Sequence, residues 1–263
     1  MGGWNKLRAM PRRLVVVVVV VVRVVVRVVV RVVALSACGA SGPTPDQVIA
    51  RHRPAAQARV DALAGVGRTL AGVPPVYEDR VELVGAVRFH DDGADRANAG
   101  LALAEDFADL ARVDRDLPMR LEPVPFWEDA LALLGKGTNA SGGKPSADVA
   151  ERTLARFEAV RWLFVLRQID YEPPILGEGA RFRPGRWAGE VVAFDLDAGR
   201  PLGGFALAVA SDANARVSYD AKAAPDQQRR QKESWLRANL RQAARAQLHA
   251  RLAAVLPGAT ISD

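Results

Sequence analysis

The chain has 263 residues and is 49% hydrophobic, which is enough to build one fair-sized domain or two small ones. Its formal net charge of +6 suggests a nucleic acid or an anionic membrane as partner, but residues 1–37 contain seven basic residues and no acidic ones. Taking these seven from the 36 Lys and Arg residues leaves 29 against 30 Asp and Glu, and this near-neutral balance excludes the overall basic character of a nucleic-acid-binding protein.

Valine makes up most of residues 15–33, where it is interrupted by Arg23, Arg27 and Arg31. A helix over residues 14–34 would be long enough to cross a bilayer. A membrane span is nevertheless disfavoured, because each central arginine costs about 2.5–3.5 kcal/mol and each valine returns only about 0.3–0.6 kcal/mol on the insertion scale. The four-residue spacing places the arginines on one helical face, so a helix lying in the membrane interface is an alternative, as is an uncleaved segment that holds the domain at the inner membrane.

The only cysteine, Cys38, ends the sequence LSAC of residues 35–38, and a basic leader, an apolar block and small residues precede it. This segment resembles the signal peptide of bacterial lipoproteins, because LSAC fits the lipobox at all four positions. The resemblance covers about residues 12–39 and departs from the pattern where arginines interrupt the apolar block. It implies that residues 1–37 are cleaved and that Cys38 becomes the lipidated first residue of the mature chain. Gly39, where an Asp would retain the protein at the inner membrane, implies sorting to the outer membrane.

Residues 38–45 (CGASGPTP) predict a short flexible tether between the cysteine and the folded chain. A helix is predicted over residues 46–71, since Thr44 suits the N-cap and Pro45 the first helical position. Pro54 within this helix predicts a kink or a division into two pieces.

Residues 81–90 (VELVGAVRFH) alternate in polarity and predict a strand. Helical spacing predicts two helices, over residues 98–112 and 125–135, and a polar glycine-rich loop after the second. A further helix is predicted over residues 147–159. It leads into RWLFVLRQIDYEPP, whose continuous apolar run predicts a central strand buried on both faces.

Residues 187–211 predict a β-hairpin, with strands over about 187–195 and 202–211 joined by a turn that contains Asp197 and Gly199. Large and small residues alternate along the second strand. Its small face consists of Ala206, Ala208 and Ala210. We expect a helix to pack on this alanine face, because small side chains permit close approach.

The helix expected to pack there is the C-terminal one, over about 226–256. Its apolar stripe consists of Leu236, Leu240, Ala244, Leu248, Leu252 and Val255. Together the elements predict a single α+β domain over residues 46–263, with a mainly antiparallel sheet of about four strands packed by helices and a long C-terminal helix.

Two catalytic motifs are present only in incomplete form. The sequence TNASGGKP lacks two residues of a phosphate-binding loop, since Thr138 stands where Gly is needed and Pro145 where Ser or Thr is needed. Ser141 and Lys144 form an S-x-x-K pair, but the glycines between them disfavour the helical turn that would bring the lysine to the serine. We therefore predict neither a nucleotide site nor an acyl-enzyme site in this loop.

His90, Asp91 and Asp92 form the one cluster that suggests a metal site or an acid–base pair. The alternative is a strand end that turns through Asp and Gly, which this composition explains by itself. Asp195 and Asp197 have the same ambiguity between a hairpin turn and a calcium loop, and the turn is favoured because calcium needs several more oxygen ligands.

The sequence ARFRPGRW predicts a contact surface for lipid phosphates or anionic glycans, since it combines arginines with aromatic residues. This predicted contact surface consists of Arg181, Phe182, Arg183, Arg186 and Trp187. The alternative is a solvated loop that leads into a strand.

From these patterns we expect a lipid-anchored protein of the bacterial cell envelope, held at the outer membrane through Cys38 and facing the periplasm or the cell surface. A non-enzymatic binding or structural role is favoured, with an envelope protein or a glycan as partner and with no cofactor, metal or nucleic acid. The alternative is an envelope hydrolase or metal-dependent enzyme centred on His90, Asp91 and Asp92.

Overall fold

The two longest helices lie at the ends of the folded chain, and all of the described strands lie between them in sequence. The computed structural model describes residues 42–76, 79–83, 85–90, 96–111, 125–137, 145–177, 181–256 and 259. Cys38, the arginine-interrupted valine segment, residues 91–92 and the S-x-x-K pair lie outside this part of the chain. The chain divides into two units, Met1–Thr44 and Pro45–Asp263, and the fold described below is that of the second.

The helices and strands are named in chain order. They are α1 Pro45–Leu70, β1 Arg80–Val81, β2 Ala99–Leu103, α2 Glu128–Leu133, α3 Ala147–Ala159, β3 Trp162–Glu172, β4 Ile175–Leu176, β5 Phe182–Arg183, β6 Arg186–Asp195, β7 Arg200–Ala210 and α4 Pro225–Val255, with a 3-10 helix at Ala104–Phe107. No helix in the described part of the chain is both long and apolar enough to span a bilayer.

Five strands form one sheet in the order β1-β7-β6-β3-β2. Only β2 and β3 run parallel, and the other neighbouring strands are antiparallel. A second, two-stranded sheet joins β4 to β5. The prediction of an α+β fold with a mainly antiparallel sheet and a long C-terminal helix is therefore confirmed, with five strands in the main sheet instead of about four.

Strand β3 lies inside the sheet, and the side chains of Trp162 to Leu166 are buried. Successive side chains point to opposite faces of a strand, so this run supplies both faces of the sheet with core residues, as its unbroken apolar sequence predicted. The second half of the strand is different, because the register shifts between Gln168 and Asp170 and Ile169 in this bulge is 61% exposed.

The hairpin of β6 and β7 lies where the sequence predicted it, with a turn between Asp195 and Arg200. Gly199 in this turn has φ +63°, a conformation that glycine adopts without strain. Gly203 has φ +101°, and a Cβ atom there would lie 2.1 Å from the carbonyl oxygen of Arg80. Close approach of β1 to β7 therefore requires this glycine.

Two separate cores cover the two faces of the sheet. On one face α4 packs against aromatic and aliphatic residues of the strands, among them Phe164, Trp187 and Phe205. On the other face α1, α2 and α3 pack around residues such as Trp127, Phe157 and Phe194. The sheet is thus the middle layer of three.

The predicted stripe of α4 is confirmed, but the predicted face of β7 is wrong. The buried residues of the helix are Leu236, Leu240, Ala244, Leu248 and Leu252. They share a core with Phe205 and Leu207, whereas Ala206, Ala208 and Ala210 are exposed. The free energy gained by burying apolar area decides this, because a phenylalanine and a leucine remove far more surface from water than alanines do.

Residues 98–112 do not form the predicted helix. Ala99–Leu103 is strand β2, which pairs in parallel with β3, and only Ala104–Phe107 is helical, as a short 3-10 turn. A short run of small apolar residues fits a helix or a buried strand equally well. Pairing with the neighbouring strand β3 therefore determines that these residues form a strand. Gly100 permits the close packing here, since a Cβ atom on it would lie 2.3 Å from the Phe126 ring.

The predicted strand over residues 81–90 is reduced to Arg80–Val81 and an isolated bridge at Arg88. Its alternation is kept without the strand, because Val87 is buried and Phe89 packs on the α4 side of the sheet. Arg88 is held by Asn98, whose side-chain Oδ1 accepts from the Arg88 N–H at 2.8 Å. A side chain therefore replaces part of the expected strand pairing.

The remaining helices follow their sequence signals closely. Helix α1 is one continuous helix of 26 residues, not two pieces. Pro54 lies on its exposed side, where the carbonyl group left without a donor can reach water. The helix predicted over residues 125–135 is shorter, at Glu128–Leu133. The one predicted over 147–159 is confirmed at both ends, with Ser146 Oγ accepting from the Val149 N–H at 3.3 Å.

Candidate functional site

The predicted contact surface is divided between solvent and core. Arg181, Arg183 and Arg186 are exposed, and Phe182 is half-buried in strand β5. Strand β5, which contains Arg183, pairs with β4, and β4 contacts α4. Strand β4 therefore connects β5 to the C-terminal helix. The arginines can reach a partner outside the domain.

Trp187 does not belong to this surface, which corrects the prediction. Its side chain is 2% exposed and lies across Gly189, where a Cβ atom would be 2.4 Å from the indole ring. The indole Nε1–H donates to Gln168 Oε1 at 3.2 Å. Trp187 shares a core with the buried leucines of α4. Its side chain therefore points to the face of the sheet that α4 covers.

His90 is exposed and follows the bridge residue Arg88. Asp91 and Asp92 lie outside the described residues, so the structure does not place the three side chains together. In the described part of the chain no group of three or more His, Cys, Asp and Glu side chains is arranged to hold a metal ion. An acid–base or metal centre at His90 gains no geometric support from its surroundings.

Asp195 and Asp197 form a turn in the structure. Asp195 Oδ1 accepts from the N–H groups of Asp197 at 2.9 Å and Ala198 at 3.1 Å, and its Oδ2 accepts from Arg161 at 3.0 Å. Burial acts to raise the pKa of Asp195, but these hydrogen bonds outweigh it and hold the pKa below its usual range. The carboxylate oxygens thus serve the turn and the guanidinium group of Arg161.

Two arginines tie this turn to the helical layer. Arg59 on α1 lies 3.0 Å from Asp197 Oδ1 and also donates to the carbonyl oxygen of Glu158 at 3.1 Å. Arg161 stacks over the Trp162 ring, 4.2 Å from its centroid. The cluster therefore fixes the hairpin turn against α1 and the end of α3.

His52 is a polar contact that the sequence did not indicate. It lies on α1 between two carboxylates of α3, with Nδ1 2.8 Å from Glu158 Oε1 and Nε2 3.2 Å from Glu151 Oε2. Burial acts to raise the pKa of Glu151, but His52 and Arg51 outweigh it and lower the pKa. The imidazole faces the neighbouring helix, so the arrangement holds two helices together.

Arg167 and Glu190 form the most buried ion pair in the described residues. The side chain of Glu190 is 2% exposed, and its second oxygen accepts from the Val76 N–H at 2.7 Å. Arg167 also donates to the carbonyl oxygen of Val73 at 3.1 Å. The pair holds the segment that follows α1 against the sheet.

An apolar groove of about 400 Å³ lies next to this ion pair, at the β1 edge of the sheet. Its walls are the proline-rich segment Val73–Val76 and the β7 residues Pro201–Gly204. Arg80 and Glu82 form an exposed ion pair at its side, with 2.8 Å between the charged atoms. Among the described residues that line the groove, the one carboxylate is that of Glu82, and it is paired with Arg80.

Comparison of the chain with models of protein families, with curated proteins and with solved structures gives no match.

Proposed function

We propose that the protein is a lipid-anchored, non-enzymatic binding domain of the bacterial cell envelope, attached to the outer membrane through Cys38. The observation that carries the proposal is the position of LSAC relative to the fold, since the first helical residue, Pro45, follows Cys38 by only seven positions. Residues 42–44 are exposed and have no regular structure, as expected for a tether.

A tether of this length keeps the domain close to its anchor. The six residues between Cys38 and Pro45 reach at most about 22 Å when fully extended, at roughly 3.3–3.6 Å per residue. Lipidation adds two or more acyl chains, and two chains are enough for stable anchoring, at about 0.8 kcal/mol per buried methylene. The domain would then act within a short distance of the membrane surface.

The contact surface proposed for a glycan or an envelope protein consists of Arg181, Arg183 and Arg186, with Phe182 beside them. The exposed guanidinium groups support this choice, because they bind carboxylate and phosphate groups with two parallel hydrogen bonds. No observation on His90 favours the enzymatic alternative.

Mass spectrometry of the N-terminus, on protein expressed in a bacterium and extracted with detergent, tests the anchor. We expect a mature chain that begins at Cys38 and carries acyl groups, and a Cys38→Ala variant that keeps its N-terminal segment and gains no lipid. An unmodified chain that still begins at Met1 would contradict the proposal. The variant is a clean control, because Cys38 is the only thiol in the chain.

A further inference from the structure

Strand β7 is paired on one side along its length, but on the other side for only part of it. Its register with β1 ends at Gly204. Two residues further on, the Ala206 N–H donates to Asp79 Oδ1 at 3.3 Å. In the part of the chain that the structure describes, no residue pairs with β7 on this side beyond that point. The backbone from Ala208 to Ala210, on the side away from β6, is here called the open edge.

Two hydrogen bonds show which backbone groups face the open edge. The Ala206 N–H points away from β6, because its acceptor lies on the β1 side. The Ser211 N–H points the other way and donates to the carbonyl oxygen of Gly185, just before β6, at 3.0 Å. Successive residues of a strand direct their backbone groups to opposite sides. Ala208 and Ala210 therefore present their N–H and carbonyl groups outward, as two donors and two acceptors.

The second half of β3, which β2 does not cover, is protected against further pairing in ways that the open edge is not. It contains a bulge between Gln168 and Asp170, a second acidic residue at Glu172, and the prolines 173–174 directly after its end. Bulges, charges and prolines are the features that keep edge strands from pairing with other chains. Residues 205–210 of β7 (FALAVA) contain no charge and no proline, and their register with β6 is regular.

The side chains along the open edge are small and apolar. Ala208 and Ala210 are exposed on one face of the sheet, and Val209 is half-buried on the face that α4 covers. These side chains have no polar atom, so the polar recognition of a partner depends on the backbone alone. The matching ligand is an extended peptide with small or β-branched, uncharged side chains, because such residues pack well beside a pleated strand.

A second copy of the chain fits the open edge less well than a single peptide does. Helix α4 contacts β7 more than it contacts any other strand. Pairing two β7 strands would bring two copies of α4 together across a strand spacing of about 4.7–4.9 Å, whereas packed helices need about 8–10 Å between their axes. A strand that carries no helix on this face avoids the crowding.

We propose that the protein binds an extended peptide segment of a partner protein by strand addition at the open edge. The segment continues the position of β1 along β7, so that β7 becomes paired on both sides. In this mode of binding, hydrogen bonds between the two main chains supply the affinity. The inference rests on the proposed binding role, but not on lipidation of Cys38 or on the arginines of the proposed contact surface.

The test uses a chain that begins at Gly39, which keeps the whole Pro45–Asp263 unit with both cores. The probe is a capped peptide of alternating threonine and valine, TVTVTVT, at millimolar concentration. We expect hydrogen exchange of the Ala208 and Ala210 amides, followed by NMR, to slow by about fivefold or more, because a hydrogen bond to the peptide protects them. The same peptide with every amide N-methylated keeps its side chains but has no backbone donors, and it should not bind.

Ala208→Pro removes one outward N–H and leaves the hydrogen bonds to β6 in place, and proline is tolerated on an edge strand where the N–H faces solvent. It should weaken peptide binding by about fivefold or more, since a backbone hydrogen bond is lost. The matched control Ala208→Thr keeps the N–H and should bind as the unaltered chain does. A second control, Arg183→Gln with Arg186→Gln, should also leave peptide binding unchanged.

Four results would overturn the proposal: unchanged exchange at Ala208 and Ala210, equal binding of the two peptides, a loss of binding confined to the arginine control, or a dimer that Ala208→Pro abolishes. The last would show that a second copy occupies the open edge. If Ala208→Pro does not fold, the two peptides with the unaltered chain decide. Failure here leaves the mass of the N-terminus and binding at the arginines untouched, so it is distinguishable from failure of the proposed function.

Discussion

Glu190 is a carboxylate that the fold has almost completely removed from water. Arg167 and the Val76 N–H satisfy its two oxygens, and the arginine also reaches backbone carbonyl groups behind α1. A buried charge is costly when it loses its partner, because neither water nor another group replaces the interaction. The attachment of the segment that follows α1, which contains Val73 and Val76, therefore depends on both members of the pair.

Replacing Arg167 by Met, which keeps an unbranched apolar stem but removes the guanidinium group, should destabilise the domain by about 3 kcal/mol, because it leaves Glu190 buried and unpaired. Urea unfolding followed by circular dichroism measures this. The matched control is Arg80→Met at the exposed Arg80–Glu82 pair, which should change stability by less than about 1 kcal/mol. Equal effects at the two pairs would show that burial does not set the cost.

Asp195 makes stability dependent on pH in a definite direction. Its pKa in the fold lies below the value of about 3.9 expected in the unfolded chain, so its contribution is fully present above that value and is lost as the pH falls through the folded pKa. Asp195→Asn should lower the melting temperature at pH 7 and reduce the further decrease as the pH falls below about 4. Thermal melts at several pH values, with Asp212→Asn in an exposed turn as control, would contradict this if both variants behaved alike.

The sequence could place exposed arginines but not the partners of buried polar groups. Arg181 precedes the two-residue strand β5, and Arg183 lies in it. Charged side chains are mostly exposed in folded proteins, so their exposure could be expected from the sequence. His52 meets Glu151 and Glu158 only after the chain has returned about a hundred residues later, and no local pattern indicates such a contact. The side of the sheet that Trp187 faces follows from strand register, which the sequence alone does not specify.

Elements with complete local signals were predicted accurately. Helix α3 begins after an N-cap at Ser146, and the β6–β7 turn contains a glycine with positive φ, so in both cases the residues that decide the structure are adjacent in sequence. Strand β2 is the opposite case. Its residues suit a helix, and it becomes a strand because β3, about sixty residues later, offers a parallel edge.

The side of β7 that receives α4 can be tested with neighbouring residues. Leu207→Ala should cost about 2–5 kcal/mol, because it opens a cavity beneath the helix. Ala208→Gln should change stability by no more than about 0.5 kcal/mol, since its side chain points to solvent. Denaturant unfolding of both variants decides the matter, and a large loss from Ala208→Gln with a small one from Leu207→Ala would place the helix on the alanine face.

At the scale of the whole molecule, a near-neutral sum conceals an uneven distribution of charge. The composition correctly showed that the excess of basic residues belongs to residues 1–37. It could not show that one helix, α4, has a net charge of +5 and lies on one side of the sheet. Composition gives the total charge of the chain. The structure is needed to show where an element begins and ends, and so how much charge that element has.

The three layers also differ in when they can form. The buried residues of α1 pack against α3 and against strands that begin only at Trp162, so this first helix precedes most of its partners by about ninety residues or more. A chain is synthesised from its N-terminus and domains fold as units. The apolar side of α1 therefore remains open to water or to a protecting partner until more than half of the chain has emerged, and the domain can fold only late, as a whole, once β3 is present to join its two cores.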